Sequence, residues 1–198
     1  MSFDHVDTTP FLADGKTPNP TFNLHTEDTG NAPGTSKIKG YEADWTYRAT
    51  DNLTVGASYA YTDTDIPATI NPQTGASTLV FVVFTPKNAW GAYMDYRSQL
   101  NNGSSLQFHV DSNYADEQYS FQSENVLTDN SFIVNARIAL ADIPMSKNGQ
   151  RATLALWSRN LLNETHIYRR SNANAGTLGD YANFNPPRTI GLEGAVKF

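Results

Sequence analysis

The stretch Arg188–Phe198, R-T-I-G-L-E-G-A-V-K-F, decides the fold of this 198-residue chain. Its apolar side chains recur at every second position, with polar side chains between them: Ile190, Leu192, Val196 and Phe198 against Thr189, Glu193 and Lys197. A period of two is that of an extended strand. Because its two faces differ in polarity, the strand is expected to separate two different surroundings.

The same alternation recurs upstream and predicts six further strands before the last one. The expected ranges are 39–49, 53–62, 87–98, 105–114, 131–141 and 150–159, followed by 188–198. Residues 38–198 therefore form one region of antiparallel strands, whereas residues 1–37 are rich in Pro, Gly, Asn and Asp and are expected to form a loop. Within that loop, residues 21–26 alternate briefly and could add a weak strand.

The connections between these strands differ in length according to their order. Short turns follow the first, third and fifth strands, and long loops follow the second, fourth and sixth. Short turns at one end and long loops at the other are typical of an antiparallel transmembrane β-barrel. About 11 residues, tilted as in such barrels, rise roughly 25 Å, which matches the height of the apolar band.

The composition fits a barrel better than a membrane helix. Charged residues make up 17% of the chain and aromatic residues 12%. The longest apolar run, Leu79–Phe84, is far shorter than the roughly 18 residues that a membrane helix needs. We expect this run to extend the third strand and pair with its neighbour; lining an apolar vestibule is the alternative.

A barrel in lipid should carry aromatic side chains near both membrane interfaces. The positions expected at the outer interface are Tyr41, Tyr59, Tyr61, Trp90, Tyr114 and Phe132. Those expected at the inner interface are Tyr47, Tyr96 and Phe198. A preference of aromatic residues for strands would explain their presence, but it would not explain their position at strand ends.

Three stretches together resemble the C-terminal part of TonB-dependent outer-membrane receptors. The first is G-Y-E-A-D-W-T-Y-R-A-T-D-N-L-T-V-G-A-S-Y-A-Y-T-D, which resembles a late hairpin of these barrels. The second, S-R-N-L-L-N-E-T-H-I-Y, contains Asn160, Leu161, Asn163 and Glu164, and the third, P-P-R-T-I-G-L-E-G-A-V-K-F, contains Pro187, Arg188 and Gly191. The resemblance covers about Lys37 to Phe198.

This resemblance implies a barrel of roughly 22 strands in the Gram-negative outer membrane, plugged by an N-terminal domain. Such receptors import a scarce substrate (a siderophore chelate, cobalamin or a saccharide), and TonB acts on them through the plug. Lipid, lipopolysaccharide and the barrel-insertion machinery, which reads a terminal aromatic such as Phe198, are the other expected partners. Because plug and N-terminal barrel strands are missing here, we expect a fragment that is incomplete for import.

Two alternatives remain open at this stage. Barrels of this bacterial type use even strand numbers, so residues 21–26 could complete a self-contained eight-stranded pore or structural barrel. The chain could also be a soluble β-domain that binds a saccharide.

The sequence gives little support for other chemistry. The chain has no cysteine, and His5, His25, His109 and His166 lack the spacing of metal ligands. Patterns for a nucleophile and base, a phosphate loop or a dinucleotide site do not occur. The net charge of −6 argues against a nucleic-acid surface. We therefore expect no enzyme activity, no metal or other cofactor, and no nucleic-acid partner.

One cluster in the last long loop is a candidate for ligand contact. Tyr168, Arg169 and Arg170 are adjacent, and an arginine can bind a carboxylate or a phosphate with two hydrogen bonds. Lipopolysaccharide phosphates or a neighbouring loop are the alternative partners of these side chains.

Overall fold

The computed structural model describes residues 2–29, 33–70, 75–145, 149–173, 176–177 and 179–198. All regular elements in these ranges are strands, and no helix there is long and apolar enough to cross a membrane. The strands are β1 (Ser2–Val6), β2 (His25–Thr29), β3 (Lys37–Arg48), β4 (Leu53–Asp65), β5 (Thr69–Ile70), β6 (Ser77–Thr78), β7 (Asn88–Gln99), β8 (Ser105–Ala115), β9 (Ser131–Pro144), β10 (Arg151–Arg159), β11 (Ile167–Ser171), β12 (Tyr181–Phe184) and β13 (Thr189–Lys197).

Seven of these strands form one sheet in the order β13-β10-β9-β8-β7-β4-β3. Each strand lies beside the one that precedes it in this sheet along the chain, and the pairs from β4 to β13 are antiparallel. The bounds of the seven strands fall within a few residues of the ranges expected from alternation. The predicted fold class, an all-β antiparallel sheet of about seven barrel strands, is confirmed.

The two edge strands of this sheet are β3 and β13. Because six successive reversals separate them, they run in the same direction. Among the described residues neither edge pairs with a further strand, so the sheet is open rather than closed into a barrel. An open edge within hydrocarbon leaves backbone groups unpaired at several kcal/mol each, so this sheet needs further strands to cross a membrane.

The N-terminal residues do not supply an eighth strand to the sheet. Residues 21–24 form a turn, and β2 pairs with β1 in a two-stranded sheet of its own, from Ser2 opposite Thr29 to Val6 opposite His25. The alternative of a self-contained eight-stranded barrel completed by residues 21–26 is therefore wrong.

The chain divides into two compact units. The first comprises Met1–Lys37 and Asp65–Val80, and the second comprises Ile38–Thr64 and Phe81–Phe198. In the first unit, the Asp7 carboxylate accepts hydrogen bonds from the Thr21 hydroxyl (2.6 Å), the Asn19 amide (2.8 Å) and the Thr9 backbone N–H (2.9 Å). These bonds, that of Thr21 first, lower the pKa of Asp7 to about 2.

The second unit lacks the hydrophobic core of a water-soluble domain. Among residues whose side chains are described, the buried hydrophobic residues are four alanines: Ala139, Ala141, Ala152 and Ala155. Large apolar side chains are exposed instead, Leu192 at 85% and Leu154 at 61%. A soluble sheet protein buries one face of such a sheet, so the alternative of a soluble saccharide-binding domain is wrong.

The apolar run Leu79–Phe84 does not extend the third long strand, which begins only at Asn88. Phe84 adopts a positive φ of 51°, which ends any extended path. The Phe81 and Phe84 N–H groups donate to the carbonyls of Gln122 and Tyr119, both at 2.9 Å, and the Phe81 ring stacks on Tyr119 at 3.9 Å. The expected extension is therefore wrong: residues 81–84 pair with the loop between β8 and β9.

Candidate functional site

One face of the seven-stranded sheet carries an unbroken apolar row that crosses six strands. Its members are paired in register: Leu53, Tyr96, Phe108, Ile138, Leu156 and Leu192. Contiguous apolar surface of this extent marks contact with lipid or with another protein. We call this side of the sheet the apolar face.

Near the long-loop end, the apolar face is bordered by six aromatic side chains, which we call the aromatic row: Tyr41, Tyr59, Tyr61, Trp90, Tyr114 and Phe132. Tyr59, Trp90, Tyr114 and Phe132 are paired in register across four strands. The Trp90 ring centroid lies 5.7 Å from that of Tyr114 and 5.6 Å from that of Phe132, while Tyr41 lies 5.4 Å from Tyr61. The structure thus brings together all six residues that the sequence placed at the outer interface.

Two hydroxyl groups of the aromatic row, those of Tyr59 and Tyr114, are held by Asn88 and Asp116, which were not expected to contact the row. The Tyr59 hydroxyl donates to the Asn88 side chain (2.7 Å), and the Asn88 amide donates to the Asp116 carboxylate (2.6 Å). The Tyr114 hydroxyl donates to the other oxygen of Asp116 (2.9 Å). Burial opposes ionisation of Asp116, but the hydrogen bonds from Asn88 and Tyr114 outweigh it and lower the pKa of this carboxyl.

The three residues expected at the inner interface are not brought together in this way. Tyr47 stacks on Trp45 at 6.0 Å, Tyr96 lies within the apolar row, and Phe198 follows β13 with 92% of its surface exposed. Among the described residues, no ring contact joins these three. Their role at a membrane interface stays a prediction.

The opposite face is polar and carries a chain of hydrogen bonds across the sheet. The two ring nitrogens of His109 lie 2.7 Å from Asp95 and 3.3 Å from Asp111. The Asn135 side-chain amide donates to Asp111 (2.8 Å), and the Asn135 side-chain oxygen accepts from the Asn160 backbone N–H (3.1 Å). The chain links β7, β8, β9 and the end of β10, so we call this side the polar face.

Some contacts on the polar face skip a strand. Three such contacts occur among the described residues: Arg97 with Asp142 at 2.9 Å, Arg137 with Glu193 at 3.1 Å, and Tyr93 with Thr46 at 3.2 Å. Strands two places apart in a flat sheet are separated by about 9.5 Å. Contacts across this distance require long side chains, or a sheet that bends towards them.

Two aromatic rings on the polar face lie over glycines of the neighbouring strand. A Cβ atom at Gly56 would overlap the Tyr93 ring, and one at Gly191 would overlap the Trp157 ring. Aromatic side chains that cover strand glycines help to fix register in curved sheets. Glycine at position 191 is therefore explained by the ring that lies on it.

The family model for the TonB-dependent receptor-like β-barrel matches residues 6–161. The chain belongs to the TonB-dependent receptor β-barrel family. A similar solved structure is that of BauA, the ferric preacinetobactin receptor from Acinetobacter baumannii, with a TM-score of 0.58 and 14% sequence identity. That match covers 98% of this chain and 25% of the BauA chain, so the chain spans about a quarter of the length of that receptor. No curated protein matches.

The TonB-dependent receptor family belongs to the Gram-negative outer membrane. Proteins of this family are receptors rather than enzymes. The likeness to BauA shows the barrel fold, in which an open seven-stranded sheet is one portion of the wall.

Residues 160–164, which follow β10 and resemble a receptor motif, form a tight turn that the Asn160 side chain stabilises. Asn160 has a positive φ of 50°; its amide donates to the Glu164 carbonyl (2.8 Å), and its side-chain oxygen accepts from the Glu164 N–H (2.9 Å). The Leu161 N–H donates to the Val134 carbonyl at 2.7 Å. The Asn163 side chain accepts from the Arg188 N–H (3.0 Å), next to Pro187. The arrangement fixes the exit of β10 to the entry of β13.

The arginines of the last long loop are bound within the loops. Arg170 donates twice to Asp180, at 3.0 and 2.6 Å, and this hydrogen bonding, followed by the attraction of the Asp180 charge, raises the pKa of Arg170. The Arg169 guanidinium lies 5.0 Å from the Phe121 ring, and Tyr168 is exposed. This geometry favours loop partners for both arginines, and a ligand contact by this cluster stays a prediction.

Proposed function

We propose that this chain forms part of the wall of an outer-membrane uptake barrel. Its apolar face meets lipid, and its polar face lines the lumen through which a scarce substrate is imported. Siderophores, cobalamin and saccharides are the substrate classes. Import requires the N-terminal barrel strands and a plug, through which TonB acts, and the protein is not an enzyme.

The observation that carries this proposal is the opposite character of the two faces. The apolar row crosses six strands without a charged residue, while the polar face bears cross-strand ion pairs and hydrogen bonds at the same level of the sheet. In a membrane barrel, lipid-facing and lumen-facing residues alternate in this way. The aromatic row then marks the outer interface, where aromatic rings are enriched.

The proposed topology follows from the connections. The seven strands of the large sheet cross the membrane. The long loops after β4, β8 and β10 lie outside the cell, and residues 1–37 belong to an extracellular loop. Lipopolysaccharide surrounds the aromatic row at this level. Phe198 is available to the barrel-insertion machinery, because its ring is exposed beyond β13.

Single cysteines test the assignment of the two faces, because the chain has no cysteine of its own. Leu106 and Gln107 are adjacent in β8 but lie on opposite faces. In the whole receptor reconstituted in lipid, we expect a fluorophore at Leu106→Cys to be quenched by nitroxide-labelled acyl chains. A fluorophore at Gln107→Cys should be quenched far less, and Val110→Cys should repeat the result of Leu106→Cys. Equal quenching at positions 106 and 107 would contradict the proposal.

Uptake is tested with the whole receptor in cells. Deletion of the gene should abolish accumulation of one substrate class, and removal of TonB should have the same effect as the deletion. Growth on ferric siderophores, on cobalamin and on saccharides separates the three classes. Uptake that persists without TonB would exclude the proposed energy source while leaving the assignment of the faces intact.

A further inference from the structure

A cavity of about 320 Å³ opens on the polar face near the long-loop end of β10. Trp157 and Ile133 form apolar walls, Pro186 and Pro187 close one side, and Arg159 supplies a positive charge. The volume is at the lower end of the range for small-molecule sites. Mostly apolar walls with few polar groups are typical of such sites.

The amide side chains around this cavity are already engaged. Asn135 donates to Asp111 and accepts from the Asn160 N–H. The Asn160 side chain is used within its own turn. Asn185 accepts from the His166 N–H and donates to the Glu164 carbonyl. The amides therefore shape the cavity but have few hydrogen-bonding atoms left for a ligand.

Arg159 is in a different situation. Among the described residues it has no ion-pair partner, and its guanidinium lies 5.7 Å from the centroid of the Trp157 ring. Nearby charges are paired elsewhere: Arg137 with Glu193, and Asp111 with His109. The cavity thus combines a cation without a partner and an indole ring that rests on Gly191.

We propose that this cavity binds a planar ring that carries a carboxylate. The ring packs against Trp157 and the two prolines, and the carboxylate accepts two hydrogen bonds from the planar guanidinium of Arg159. The inference rests on the proposed function, since the polar face must line a lumen that solutes enter. It narrows the substrate, or a group within it, to a ring-bearing carboxylic acid.

Equilibrium dialysis of the detergent-refolded chain with radiolabelled benzoate tests the site. Benzamide has the same shape without the charge, and cyclohexanecarboxylate has the charge without the flat ring. We expect benzoate to bind about tenfold more tightly than benzamide, the ratio typical of a charge-assisted bidentate contact. Cyclohexanecarboxylate should bind about threefold more weakly than benzoate, because it stacks poorly on an indole.

The substitution Arg159→Gln should weaken benzoate binding about tenfold and remove the preference over benzamide. Arg151→Gln is the matched control, because Arg151 lies on the same strand and, within the described part of the chain, donates to the backbone carbonyls of Gly103 and Asp142. Far-ultraviolet circular dichroism, which reports strand content, shows whether each variant is folded. If Arg159→Gln does not fold, Arg159→Lys replaces it and should keep the preference for benzoate with lower affinity.

Equal binding of benzoate and benzamide would overturn the inference, and so would equal losses in the Arg159 and Arg151 variants. These outcomes are independent of the fluorophore experiment on positions 106 and 107, which uses no ligand. If quenching confirms the two faces but benzoate does not bind, only the proposed carboxylate site is rejected. Failure of the face assignment removes the lumen and, with it, the proposed function.

Discussion

The Arg137 guanidinium lies 3.1 Å from the Glu193 carboxylate although β10 runs between the two strands that carry them. A contact of this kind fixes the bend of the sheet as well as its register, because the side chains must reach over the intervening strand. It joins β13, which is an edge strand, to β9 in the interior of the sheet. Curvature towards the polar face is what a barrel wall requires.

The contribution of this ion pair should nevertheless be small. The side chains of Arg137 and Glu193 are 33% and 46% exposed, so solvent screens their attraction. We expect a double-mutant cycle of Arg137→Gln and Glu193→Gln, measured by urea unfolding of the refolded chain, to give a coupling of about 0.5 kcal/mol. The Arg48–Asp51 pair, which is far more exposed, is the control and should give no measurable coupling. A coupling above about 2 kcal/mol would show that the pair is shielded from water.

The strands and their pairing order could be predicted from the sequence because they depend on local period and on short turns. Alternation around Leu106 and Gln107 assigns each side chain to a face without any knowledge of its neighbours. The aromatic row could be predicted for the same reason. Its rings stand at equivalent positions of successive strands, and the hairpin geometry puts equivalent positions side by side.

Contacts between distant parts of the chain could not be predicted. The Arg137–Glu193 pair depends on sheet curvature, and the Asp116 contacts with Asn88 and Tyr114 depend on where two strands end relative to each other. The run around Phe81 was misassigned because a β-prone apolar segment looks like a strand whether its partner is a strand or a loop. In this chain its partner is Tyr119, and no local pattern indicates that contact.

Gly191 should tolerate alanine poorly. A Cβ atom at this position would overlap the Trp157 ring, which then has to leave its place over β13. We expect Gly191→Ala to lower the free energy of unfolding by about 1–3 kcal/mol, as overpacking does elsewhere. Urea unfolding followed by intrinsic tryptophan fluorescence, to which Trp45, Trp90 and Trp157 all contribute, measures the loss.

Gly194 provides a matched control on the same strand. A Cβ atom there would meet only the Leu154 side chain at an ordinary contact distance of 3.9 Å. Gly194→Ala should therefore be neutral or raise stability by about 0.5 kcal/mol, since alanine reduces the freedom of the unfolded chain. Equal effects at positions 191 and 194 would mean that the Trp157 ring does not rest on β13.

The first unit should lose its order in acid as Asp7 and Asp14 become protonated, because folding lowers the pKa of each to about 2. The hydrogen bonds from Thr21, Thr9 and Asn19 lower the pKa of Asp7 from 3.8 to about 2 in the folded state. A depressed folded-state pKa gives stability that is present above the unfolded value and is lost as the pH falls through the folded one. The loss therefore occurs between about pH 4 and pH 2.

Limited digestion with pepsin, which is active across this pH range, follows the change. Cleavage within residues 7–24 of the wild-type chain should accelerate as the pH falls from about 4 to about 2. Asp7→Asn should be cleaved at a high rate across the whole range, because its side chain carries no titrating charge. A wild-type cleavage rate that stays constant between these pH values would show that the Asp7 contacts do not order the unit.

Substitution of Asp116, which lies beside the aromatic row, should lower the stability of the chain. Its carboxylate accepts from the Tyr114 hydroxyl and from both the side chain and the backbone N–H of Asn88. We expect Asp116→Ala to lower the free energy of unfolding by about 1–3 kcal/mol, because it leaves partly buried donors without an acceptor. Glu117→Ala is the control: Glu117 is the exposed neighbour, so its substitution should leave the stability unchanged.

Because the pKa of Asp116 is lowered by folding, the stability advantage of the wild-type chain over Asp116→Ala should shrink as the pH falls through that pKa. Urea unfolding at neutral and acid pH measures both effects, and an advantage that grows in acid would contradict the role of the ionised carboxylate.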